Sequence, residues 1–129
     1  MVSAILIAAG LPVQGCDMSD QSKSPLVRHI ERQTVGRPWG TRISLIPDPF
    51  PSGMPKADVE GRLADAGFVA GTHDRIRPPY RHDIARGREV FVREAKKLVC
   101  NTSLYVILAF DDHENLTSAE ATSEETGCL

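Results

Sequence analysis

Aromatic residues make up only 5% of this 129-residue chain, and cysteine occurs three times. With so few rings, burial falls to Val, Leu, Ile and Ala with four Phe. Such a core is modest, and a covalent staple would help to hold it. Neither charge is in marked surplus: the formal net charge of -2 gives no reason to expect nucleic acid as a partner. No apolar run reaches the ~20 residues that cross a bilayer as a helix. Also missing are a G-x-S-x-G elbow, a phosphate loop and a dinucleotide fingerprint. His29, His73, His82 and His113 are scattered, with no pair at metal-ligand spacing. No cofactor or metal site is therefore expected, and the chain reads as non-catalytic. The acidic stretch Asp111-Asp112-His113-Glu114 lacks the glycine of a calcium loop and reads as a solvated hairpin turn.

What is there is a globular composition, 41% hydrophobic and 25% charged, in a chain long enough for one domain. Its charges are unevenly placed. Arg75 to Lys97 holds eight basic residues against Asp83, Glu89 and Glu94, while Asp111 to Glu125 holds six acidic residues and no Lys or Arg. Opposite charges on neighbouring strands explain such a pattern. A face for anionic lipid or glycan is the other reading.

The first fifteen residues stand apart. Val2 to Val13 is a run of about a dozen mostly apolar residues, the length of a secretory-signal core. It closes on Val13-Gln14-Gly15-Cys16, which resembles the lipobox of bacterial lipoproteins. The resemblance implies cleavage before Cys16 and acylation of its sulfur. Residues 1–15 are then a signal peptide, and 16–24 a flexible tether of solvated composition. The remainder, 25–129, is a single small domain. The protein is expected in a bacterial cell envelope, lipid-anchored and facing the periplasm. Asp17 after the cysteine is, in enteric lipoproteins, associated with the inner membrane, so inner and outer membrane both stay open.

Within the domain, five prolines between Pro25 and Pro51 leave room only for a short helix at Leu26–Gln33 and a short extended piece at Thr41–Ile46. Pro47-Asp48-Pro49-Phe50-Pro51 reads as a rigid extended connector. The clearest helix is predicted from Pro55 to about Ala66, with Val59, Leu63 and Ala66 on one stripe and Gly67 after its end. Gly61 inside it costs ~1 kcal/mol relative to Ala, which suggests close packing there or a misplaced helix. Val69 to Gly87, rich in Gly, Pro and Arg, is expected to be one long loop. Its Arg75, Arg77, Tyr80, Arg81 and Arg86, with Arg88 just after it, form a candidate binding loop. Two apolar stretches follow, Glu89–Val99 and Ser103–Phe110, the second apolar on both faces as a central strand is. A polar, β-compatible tail runs from Leu116 to Thr126. The fold class expected is α+β, with short helices on a small antiparallel sheet of about three strands.

Gly53, Met54, Lys56, Val59 and Leu63 at the helix opening, with Phe110-Asp111 at a strand-to-turn junction, resemble the SmpA/OmlA family of small outer-membrane-assembly lipoproteins. That resemblance implies a non-catalytic binding or assembly module working by contact with an envelope protein. The alternative is a periplasmic inhibitor or anionic-ligand-binding lipoprotein that grips its target with the arginine loop. Cys16 aside, two cysteines remain, and an exported protein meets oxidising conditions. A hairpin centred on Glu114 sets Cys100 opposite Cys128, so a disulfide between them is expected.

Overall fold

The computed structural model describes residues 24–95 and 100–128. Among these residues three helices and five strands follow one another. They are α1 (Pro25–Thr34), β1 (Ile43–Ser44), α2 (Lys56–Asp65), β2 (Val69–Ala70), α3 (Pro78–Ala85), β3 (Glu89–Ala95), β4 (Cys100–Phe110) and β5 (Leu116–Cys128). The strands form one antiparallel sheet in the order β1-β5-β4-β3-β2. The α+β class is as expected. Two further strands, β1 and β2, lie at the edges of the three longer ones. Each has two residues, too few to show a period-two pattern in sequence.

Both faces of the central strand β4 are buried. Leu104, Val106 and Leu108 pack on one side with Leu26, Val27 and Ile30 of α1 and Val59 and Leu63 of α2. Tyr105 and Ile107 pack on the other with Ile76, Tyr80 and Val90. The alternation follows from the pleat, which sends successive side chains to opposite faces. Helices therefore sandwich the sheet, and truncating Leu108 or Val106 to Ala would cost about 2–4 kcal/mol.

Each helix start has a local cause. Ser24 caps α1, its Oγ accepting a hydrogen bond from the Val27 N–H at 3.1 Å, and Pro25 supplies the first helical residue. Pro55 stands before α2, which Gly67 ends with φ 89°.

Two segments differ from expectation. Residues 46–49 turn rather than extend, and Phe50 is fully buried, its N–H bonded to the Leu45 carbonyl at 3.0 Å. The arginine-rich segment holds β2, a 3-10 turn at His73–Arg75 and α3. Pro78 and Pro79 open α3, and Tyr80 and Ile84, one turn apart, aim at the sheet. His82 and Asp83, within the expected loop, lie on this helix.

Candidate functional site

The six residues of the expected binding loop divide into structural and solvent-facing groups. Tyr80 is 2% exposed and stacks on Tyr105 with ring centroids 4.1 Å apart. Its hydroxyl donates to the Glu124 carboxylate. Burial first, then that carboxylate, pushes the phenol well above its ordinary pKa. Arg88 pairs with Asp83 at 3.2 Å. Arg81 Nε donates to the Ile76 carbonyl at 3.1 Å, tying the helix to the segment before it. Arg77 donates to the Glu125 carbonyl at 3.2 Å and stands 4.0 Å from the Glu124 carboxylate. Arg75 and Arg86 are exposed. Tyr80 and Arg77 thus clamp the segment to β5.

Arg42, which the sequence reading passed over, completes the clamp. It meets Asp83 through both terminal nitrogens, at 2.8 and 3.1 Å, and Glu120 at 3.4 Å, with its guanidinium 5.4 Å from the centre of the Tyr80 ring. Asp83 is only 4% exposed, yet the Arg42 hydrogen bonds hold its carboxyl below the usual range. The opposed basic and acidic segments were the available signal, but an ion pair between them runs from Arg77, just before α3, to Glu124 of β5 rather than across neighbouring strands.

Gly53, Met54, Lys56, Phe110 and Asp111, far apart in sequence, meet at the β4–β5 turn. Gly53 N–H bonds the Leu116 carbonyl at 2.8 Å, Leu116 N–H bonds the Met54 carbonyl at 2.9 Å, and Lys56 N–H bonds the Glu114 carbonyl at 2.9 Å. Lys56 Nζ lies 2.6 Å from Glu89 and 5.6 Å from the Phe110 ring centre. Asp111 Oδ1 accepts from the backbone N–H groups of His113 and Asn115, each at 2.9 Å. Those bonds depress its pKa and engage it in shaping its own turn. Among the described residues no three His, Cys, Asp or Glu gather as a metal site.

At the other end of the hairpin, two open clefts flank the strands, one on each face. On the α3 face, a cleft of about 480 Å³ has Ile76, Val92 and Tyr105 as its apolar wall and Arg75, Arg77 and Glu94 among its polar residues. On the α1 face, a cleft of about 330 Å³ is lined by Trp39, Val35, Glu31 and Arg37, with Thr102 and Ser123 from the sheet. Arg75 and Arg77 of the expected binding loop line the α3-face cleft, while nothing in the sequence marked the α1-face cleft, which joins residues from separated segments. An exposed Trp was the one available pointer.

The same hairpin end sets Cys100 opposite Cys128. Cys16 and the signal segment lie outside the described residues. No helix among those described is long and apolar enough to cross a membrane. Comparison with protein-family models, curated proteins and solved structures found no match to this chain. The likeness to assembly lipoproteins rests on the residues named for it alone.

Proposed function

We propose that this chain is a non-catalytic binding module of a bacterial cell envelope, tethered through acylated Cys16 and engaging an envelope protein by surface contact. The observation that carries the reading is the cleft on the α3 face. Its apolar wall of Ile76, Val92 and Tyr105 is bordered by arginines and a carboxylate of both signs. An apolar centre within a polar, Arg-bearing rim is the anatomy of a protein interface. Because α3 is clamped to β5 by ion pairs, the cleft is held in shape before a partner arrives, which lowers the ordering cost of binding.

The test is site-specific photocrosslinking in intact cells. A crosslinker at exposed Glu94 should capture a discrete envelope protein, and one at exposed Asp65 on α2 should not. The runner-up, an anionic ligand, is favoured by Arg75 and Arg77 sharing that cleft. It would show instead as retention on a polyanion that weakens steeply with salt and is lost in Arg75→Ala.

A further inference from the structure

The α1-face cleft carries an aromatic residue that the fold itself does not use. Trp39 is the only tryptophan of the chain and is 56% exposed; Val35 beside it is 76% exposed. In a domain so poor in aromatics, a large ring left in water calls for a reason other than core packing. The loop that bears it is tightly constrained. Val35 N–H bonds the Glu31 carbonyl at 3.0 Å, Arg37 N–H the Thr34 carbonyl at 3.1 Å, and Thr41 N–H the Pro38 carbonyl at 3.1 Å. Gly36 and Gly40 adopt φ of 79° and 86°, which a side chain would resist. Gly40 N–H then bonds the Ser123 carbonyl at 2.9 Å and fastens the loop to β5. The indole is thus presented at the cleft by a backbone fixed on both sides of it.

We propose that this cleft binds a neutral saccharide, one pyranose ring lying against Trp39. A cleft of about 330 Å³ is within the small-molecule range of roughly 300–1,000 Å³. Its charged walls are Glu31 and Arg37, one of each sign, so neither a net anion nor a net cation meets a complementary field. Its sheet side adds the hydroxyls of Thr102 and Ser123, each able to donate and accept. A purely apolar ligand would cover the Thr102 and Ser123 hydroxyls and offer them nothing to bond, a costly exchange. A pyranose has what the site asks for: a face of C–H groups for the indole and a rim of hydroxyls for carboxylate, guanidinium and hydroxyl groups. The site lies on the sheet face opposite the cleft assigned to a protein partner, so it stands or falls independently of that reading.

With a single tryptophan, intrinsic fluorescence reports this site alone. The purified full chain should give a saturable emission change with maltotriose or triacetylchitotriose. Calorimetry should give a matching affinity that weakens at least about tenfold in Trp39→Ala and in Glu31→Gln, while Trp39→Phe keeps most of it. Circular dichroism checks that each variant is folded, and Thr102→Val offers a second test that leaves the loop intact. No saturable response to either sugar at millimolar concentration, or an affinity unmoved by Trp39→Ala, overturns the proposal. A blue shift produced only by vesicles containing anionic phospholipid also overturns it, assigning the patch to a membrane surface instead.

Discussion

Asp83 shows how one buried carboxylate can fix a helix to a sheet. It accepts from Arg42 and Arg88 together, and both guanidinium groups keep partial contact with water. Its folded pKa is depressed below the ordinary 3.8, chiefly by the Arg42 hydrogen bonds. The native state therefore binds fewer protons than the unfolded chain between those two values. The stabilisation is complete above about pH 5 and is lost as pH falls through the folded pKa. Asp83→Asn leaves two arginines without their carboxylate and should cost about 2–4 kcal/mol at pH 7. Urea unfolding across pH 3 to 7 checks this: the gap between wild type and variant should narrow in acid, and a constant gap would contradict the assignment. Sequence alone could not place this residue, since a segment expected to be a loop gives Asp83 no face to turn toward Arg42 until the helix is recognised.

Among the elements, α2 was the most legible, because a proline start, a Val59-Leu63 stripe and a glycine stop agree. Gly61 resolves simply: a Cβ built there meets nothing within 4 Å, so neither close packing nor a misplaced helix is needed. Gly61→Ala should raise stability by about 0.5–1 kcal/mol, read as a shift in denaturation midpoint with the slope unchanged. Helix α3 was missed because its arginines and prolines outweighed the one-turn spacing of Tyr80 and Ile84. The β4–β5 hairpin was expected in unbroken register about Glu114. Two irregularities instead break it: Phe110 faces Leu116, then the pairing shifts at Ala109/Phe110 and again at Asn101/Thr102. The first left a trace in the sequence. Leu116 and Ala119 are three apart yet both enter the α1-side core, which an unbroken strand forbids.

Both shifts run in the same sense, and without them Cys100 would face residue 126 rather than Cys128. Directly opposed antiparallel residues have Cα atoms roughly 4.5–5.5 Å apart, within disulfide range. We propose a bond between these cysteines wherever the chain meets oxidising conditions. It closes a loop of about 29 residues, for on the order of 3.5 kcal/mol in the chain-entropy model. Cys100→Ser should lose about 2–4 kcal/mol and become insensitive to reductant. Two free thiols from Cys100 and Cys128, counted in denatured wild-type protein, would dismiss the bridge.

At the scale of the whole molecule, the segment ahead of α1 decides where the clefts can act. Ser24, expected to end the tether, is instead the cap of α1, so the folded domain is engaged from that residue on. Cys16 then stands only eight residues before the domain, and an anchor there would hold the start of α1 within roughly 30 Å of the bilayer surface. The chemistry of such an anchor is graded. Each buried methylene contributes ~0.8 kcal/mol, one acyl chain gives marginal and reversible attachment, and two or more give a stable one. Wild-type protein is therefore expected in the membrane fraction, released by detergent but not by salt, with the mass of a diacylated chain beginning at Cys16. Cys16→Ser should move the protein to the soluble fraction while leaving its far-UV spectrum unchanged. Wild-type protein that fractionates as soluble with residues 1–15 still attached would overturn the anchor, and with it the envelope placement on which the protein-partner reading depends.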